Sequence, residues 1–584
     1  MRILYKWVIL FSCAVAIAQA PPGINYQTVI RNATGQLVQG SVSVRISVLQ
    51  GSASGNVVYC ETHGGQTNAN GLLTLVIGNG TPLIGSFGQI DWSAGPYFLK
   101  TETDPQGQNN YSLVGTSQML SVPYALYAEH TPSRGKTSIY IHGAITDAEA
   151  LQKLVREYGP DTENIIVART QLLTHIDLSL VTHLVKLSIV NNEDLLTVDL
   201  SGLTELEDSV EIRLNNGLTE VSFPSLTVIG NLDCRQNSHL QTVNFPALQN
   251  ATGSDFVITE NNLFTGIIAP NLNALGTLQL KAYSPLSFSL PNLQKTRSVY
   301  FEGVGLQALS LPQLNEGSIE IRSSSLSNLT LPSLAIAYSL AIANNPLLAT
   351  INFPQLTYAS TLAISENDAL TSLSLSSLTT VEGFSVIYCS HVTSLNMPVL
   401  TNAGQLTLTN SAPPTLSFPL LANAGRITIG SHYQLTSASF PLLTHVDNFE
   451  LKANWNLTTI LLPLLDHATT FAVLDCVNLP SLGLPLLTQV NSFNVSNCGS
   501  VLTYGLSLNI PSLQQIGVGS TNIPQFTTRN NRFTTQQTNA ILNKMLSVSP
   551  AVKIIDLRSN TGPSGQGIID KQTLISQGCT VYTD

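Results

Sequence analysis

From about residue 162 to about residue 530 the chain repeats itself every 22 residues or so, and that period restricts its fold more than any other feature. The unit reads L-x-I-x-x-N-x-x-L-T-x-L-x-F-P-x-L-T. Good copies are LDCRQNSHLQTVNFPAL, LAIANNPLLATINFPQL and FELKANWNLTTILLPLL. One station marks the register. It falls at Thr170, Asn192, Asn215, Asn237, Asn261, Tyr283, Val304, Ser324, Asn345, Asn367, Cys389, Ser411, His432, Asn454, Cys476, Cys498 and Thr521, with gaps of 20 to 24 residues. Coincidence does not hold a register for so long.

The L-x-I alternation has the period of a strand and turns one edge inward. The L-x-F-P-x-L stretch supplies a second apolar edge. Its proline recurs from Pro224 to Pro511. Proline lacks a donor, so it belongs where a strand ends or the chain bends. One coil cannot bury both edges alone, whereas stacked coils bury them continuously. The expected fold is all-β: an elongated right-handed β-solenoid, on the order of 80 Å long at about 4.8 Å per coil. The Asn column reads as a ladder inside a turn, each side chain serving backbone groups that the bend strands. Cys389, Cys476 and Cys498 share that station, which points to packing. Their alternative reading is a metal or redox cluster.

These coils resemble leucine-rich repeats of the receptor-L-domain type, in which L-x-I-x-x-N is followed by a second extended segment. The usual leucine-rich repeat runs N-x-L. Here it is mostly N-x-x-L, as from Asn192 to Leu195, Asn237 to Leu240 and Asn367 to Leu370, which favours a helix-free coil over a helix-backed horseshoe. Open ends need caps. Residues 138–161 read as a strand–helix cap, with Thr146 and Glu149 forming a capping box for a helix over Asp147 to Tyr158. Residues 531–584 read as the closing cap. Thr534 and Gln537 open a helix there, IIDLRSN repeats the strand motif with Asn560, and a short helix follows over DKQTLIS. This tail resembles the closing unit of bacterial leucine-rich-repeat proteins.

The first twenty residues, MRILYKWVILFSCAVAIAQA, read as a secretory signal. Arg2 and Lys6 form the basic region, Trp7 to Ala18 the apolar core, and cleavage after Ala18 keeps Pro21 away from the scissile bond. A lipid anchor at Cys13 would leave a very short apolar core. No later run is long enough to span a membrane as a helix. Residues 19–130 hold short alternating runs between Gly, Asn and Ser turns, which predict a β-sandwich of roughly seven strands. GINYQTVIRNATGQL, VSVRISVLQGS, NANGLLTLVIGNG, IDWSAGPYFLKTETDP and SQMLSVPYALYAE resemble an N-terminal module common in exported proteins of Bacteroidetes-type bacteria. That resemblance implies a surface or secreted location and no known chemistry. Residues 131–137 read as a linker.

Composition narrows the function. Charged residues are 10% and the net charge is −10 over 584 residues, with no basic run to neutralise phosphates, so a nucleic-acid groove is excluded. No C-x-x-C pair, H-E-x-x-H, G-x-S-x-G, Walker or dinucleotide motif stands in a suitable context, so no metal, cofactor or catalytic residue is assigned. Two candidate binding sites remain. Glu211, Arg213, Asp233 and Arg235 should share the outer sheet face, a pattern repeated by Glu320 with Arg322 and Glu450 with Lys452. An acid with a base two residues away favours a neutralised rung over a catalytic carboxylate. Tyr433 and Trp455 follow the ladder station in adjacent coils and should stack on one edge, as contacts for a sugar or protein or as packing on Leu435 and Leu457. The irregular coils around Tyr283, Tyr300 and Phe301 mark a site or a bend, and Asp208-Ser209-Val210 resembles a bacterial O-glycosylation motif. The expected function is recognition or adhesion at the cell surface, binding a protein or glycan. The rivals are a polysaccharide-acting β-helix enzyme and a structural spacer.

Overall fold

The computed structural model describes residues 23–120, 134–411, 413–499, 505–517, 525–549 and 552–584. The signal segment and residues 131–133 of the expected linker lie outside them. The chain divides into two compact units, Met1–Pro132 and Ser133–Asp584.

In the first unit, five antiparallel strands follow the order Thr81–Ile84, Asn56–Gln66, Ser41–Gln50, Tyr97–Asp104, Leu113–Gln118, and a second pair joins Ile24–Val29 to Leu72–Ile77. Alternation in the central strand turns Val42, Val44, Ile46 and Val48 inward, where they meet Leu73, Leu75, Ile77 and Leu99 from both sheets. This is the expected sandwich. Beside its core, the buried Glu61 carboxylate accepts from the Tyr59 hydroxyl (2.8 Å) and from the Gly78 and Gly80 amides (2.8 and 2.6 Å), fixing the turn between two strands.

In the second unit the 22-residue period becomes a parallel stack. Each long strand pairs in parallel with its counterparts in the coils before and after, as Ile336–Ala343 does with Glu316–Arg322 and Tyr358–Ser365. Short three-residue strands such as Thr350–Asn352 form a second, interrupted series of sheets. One coil shows how the pattern fills the core. Ala337, Leu340 and Ile342 point inward from the long strand, Leu348 follows the corner, and Ile351, Phe353 and Leu356 close the coil, all at most 1% exposed. Aromatic residues at one station stack from coil to coil: Phe449, Phe471, Phe493 and Phe526 lie 5.1, 5.4 and 4.9 Å apart with nearly parallel rings. Among the described residues no helix occurs within the repeats, as N-x-x-L spacing predicts.

Between long strand and ladder station the backbone enters the left-handed region. Asn191, Leu214, Gln236, Glu366 and Tyr388 all have φ between 54° and 58°. Leu, Gln, Glu and Tyr have no preference for that region, so the residue that follows imposes the bend. Asn345 illustrates the means. Its backbone N–H donates to Oδ1 of Asn367 in the next coil (3.0 Å), and Asn367 Nδ2 donates to the carbonyls of Ile342 and Ser365 (both 2.9 Å). Each Asn rung therefore accepts from the coil before it and donates back into that coil.

The ladder is interrupted and differs from the expected one at Tyr283 and Val304. Tyr283 and Val304 sit in register but are 44% and 68% exposed, so they leave a gap between the runs ending at Asn261 and starting at Ser324. Thr521 lies outside the described residues. After Cys498 the next rung is Asn531, whose Oδ1 accepts the Cys498 amide (2.9 Å), and Asn560 serves Asn531 in turn (2.9 Å).

Both caps form. Helix α1 (Asp147–Glu157) starts at the reciprocal Thr146–Glu149 capping box, and α2 (Thr535–Leu546) starts at the same device built from Thr534 and Gln537. Helix α3 (Gln566–Ser576) begins earlier than DKQTLIS suggested. Residues 134–137 hydrogen-bond to the first cap through Lys136 N–H to Glu157 and the Arg134 carbonyl to Asp161 N–H. Among the described residues no helix is long and apolar enough to cross a membrane.

Candidate functional site

The long sheet presents its outward positions in columns. Glu211 pairs in register with Asp233, and Arg213 with Arg235. Arg213 bridges the two acids, lying 3.3 Å from Glu211 and in direct contact with Asp233. Arg235 approaches Asp233 at 2.8 Å, and the Ser188 hydroxyl donates to Glu211 (3.3 Å). The hydrogen bond to Asp233 raises the Arg213 guanidinium further above its ordinary value. The patch is neutral as a whole, and a guanidinium stands between its carboxylates. A hydrolase of the paired-carboxylate type needs the reverse: two acids facing a substrate, one of them kept protonated.

The same logic runs up the face. Lys281 and Tyr300 both hold Glu302 (3.2 and 2.8 Å), and the Tyr300 hydroxyl leads in keeping that carboxyl below its ordinary range. Arg322 contacts Glu320. The expected rung of Glu450 and Lys452 does not form; among the described residues no ion pair joins them. Ser209 hydrogen-bonds Asp208 (3.1 Å) where the strand register shifts between Leu206 and Ser209.

The six cysteines of the described residues are free and buried. Cys389 fills a rung by donating its thiol to the Ile387 carbonyl (3.6 Å), while its amide donates to the Ser411 hydroxyl (2.8 Å). Cys498 donates to Val473 (3.4 Å). The Cys476 sulfur beside it, and then burial, push the Cys498 thiol far up, away from the thiolate a metal requires. Cys234 is not a rung; it points inward from a strand, and burial pushes it up to about 12. Among the described residues no group of three or more His, Cys, Asp or Glu is placed to hold a metal.

The aromatic pair is more open. Tyr433 and Trp455 are 59% and 48% exposed, with ring centroids 5.3 Å apart at 75°, while Leu435 and Leu457 are buried beneath. Next to Tyr433 a groove crosses the corner of three coils, lined by Ser390, His391, Asn410, Ser411, His432, Tyr433 and Gln434. Its floor is a rung. His432 Nδ1 accepts the Ser411 amide (3.0 Å) and Nε2 faces the Leu408 carbonyl (3.0 Å), so a neutral ring protonated at Nε2 reproduces the acceptor and donor of Asn. Burial lowers its pKa to about 4. Sequence spacing located His432 but not the groove, because a recess depends on which neighbours are absent. A second feature went unread: the turn after each proline exposes Leu420, Leu442, Leu464 and Leu486 on four successive coils.

Comparison with known proteins adds the following. Residues 25–116 match a family described as a domain of unknown function, DUF8740. A stretch of 124 residues is 33% identical to Protein ecm33 of Aspergillus fumigatus, covering 20% of this chain and 30% of that one. The chain thus spans about a third of that curated relative's length. A leucine-rich repeat protein from Bacteroides ovatus is similar at 14% identity and TM-score 0.27, covering 56% of this chain and 83% of that chain. A leucine rich cell surface protein from Faecalibacterium prausnitzii is similar at 12% identity and TM-score 0.18, covering 62% and 90%.

Proposed function

We propose that this chain is a surface or secreted recognition protein that binds a protein or glycan through its solenoid and performs no catalysis. The observation carrying this reading is the Tyr433–Trp455 pair, two large rings about half exposed on adjacent coils with apolar residues already buried beneath them. Exposed adjacent aromatics combine large contact area with little side-chain entropy to lose, which is why they anchor binding surfaces. The neutralised Glu211–Arg235 network supports the non-catalytic part, since its carboxylates are occupied by arginines. The basic and apolar pattern of the first twenty residues supports export.

The test is binding of the intact chain to arrays of surface proteins and polysaccharides, repeated with the double variants Tyr433→Ala/Trp455→Ala and Arg213→Ala/Arg235→Ala. We expect a saturable ligand whose affinity falls at least about tenfold in the aromatic variant, the size of a hot-spot loss. Absence of any saturable ligand would replace this reading with a structural spacer.

A further inference from the structure

The groove at the Tyr433 corner has a chemistry that narrows its ligand. No Lys, Arg, Asp or Glu lines it. A phosphate, sulfate or uronate would find no cation to pair with, and a basic ligand would find no carboxylate. The lining groups are hydroxyl, amide and imidazole, which donate and accept alike. Among the described residues the side-chain amides of Asn410 and Gln434 have no hydrogen-bond partner, although both stand at the groove. The other walls are already fixed. His391 Nδ1 engages the Asp368 carbonyl (2.8 Å), Ser411 donates to the Thr409 carbonyl (2.8 Å), and the His432 rung holds the floor. A preformed recess saves the ordering cost of binding.

We propose that this groove takes one unit of a neutral glycan, with the rest of the sugar chain passing over the Tyr433–Trp455 edge. The inference rests on the recognition reading above. Sugar hydroxyls are paired donors and acceptors without charge, matching the two unpartnered amides. The apolar C–H face of a pyranose matches the exposed face of Tyr433. The recess holds about 270 Å³, below the roughly 300–1,000 Å³ of drug-sized sites, which suits one ring inside and its neighbours outside. A peptide would bring a longer backbone needing several fixed partners, and the recess spans only three coils.

The experiment titrates the intact chain with neutral oligosaccharides (β-glucans, mannans, xylans and galactans), with sulfated and uronate-bearing counterparts, and with a peptide library. Circular dichroism checks each variant for folding. The expected result is saturable binding of at least one neutral oligosaccharide, indifferent to salt and weakened about tenfold in Tyr433→Ala and in Asn410→Ala. Tyr433→Phe, which keeps the ring, retains it. Gln434→Ala weakens it less. Neutral-sugar binding that is undiminished in both alanine variants overturns the groove. Binding of acidic glycans or peptides alone overturns the ligand class and leaves the recognition reading standing. Absence of any saturable ligand overturns both.

Discussion

Asn367 shows what one side chain does in this fold. It is fully buried, accepts the Asn345 backbone and side-chain amides, and donates to two carbonyls. Asn367→Ala strands those groups in the core, where each unsatisfied one costs about 1–3 kcal/mol. Urea denaturation should show a loss of at least that size, while Ser at the same position recovers part of it, as Ser411 does naturally by accepting the Cys389 amide. His432 adds a pH dependence. Burial holds its pKa at about 4 against an ordinary 6.5, so between those values the unfolded chain binds more protons than the folded one. Stability therefore rises with pH across that window and its contribution is complete above it. At about 1.36 kcal/mol per unit the rise amounts to roughly 3 kcal/mol. Denaturation midpoints of the wild type and His432→Asn, compared from pH 4 to pH 7, should agree near pH 7 and diverge as the pH falls, the wild type losing stability and the variant not, because Asn supplies the same acceptor and donor without a proton to gain.

At the scale of elements, periodicity made the coils legible and local chemistry made the caps legible. Thr146-x-x-Glu149 and Thr534-x-x-Gln537 encode their helix starts within four residues. What escaped was any feature set by insertion or by a missing neighbour. Regular spacing placed a rung at Thr521, which lies outside the described residues, whereas the Cys498 amide is served by Asn531. Tyr283 and Val304 keep the register and lose the burial, which no spacing reveals. That gap has a consequence. Among the described residues neither the Asn261 nor the Tyr283 amide is served by a side chain of the next coil. Hydrogen exchange should be faster at residues 282–305 than at residues 323–367, where the ladder resumes. Equal protection of the two segments would show that the ladder contributes nothing to local stability. The Phe stack was readable as an apolar station but not as a stack. Phe471 touches Phe449 and Phe493, and Phe471→Ala should cost about 3–5 kcal/mol in chemical denaturation, with Phe471→Leu costing less.

At the scale of the molecule, stacking converts a one-coil motif into surfaces many coils long. The outward sheet columns carry Glu211, Arg213, Asp233 and Arg235 near one end and uncharged residues such as Ala341, Ala363 and Thr407 farther along. The intrastrand pairing of acids with bases was visible in the sequence. The bridge from Arg213 to Asp233 was not, because it depends on the register between coils. That bridge bears on the proposed function, since it puts a guanidinium between the two carboxylates. The most direct test is incubation of the intact chain with its retained surface polymer, followed by recovery and mass analysis of that polymer. Saturable retention with the polymer recovered unaltered is the predicted result. Cleavage or modification that disappears in Glu211→Gln or Asp233→Asn would contradict it.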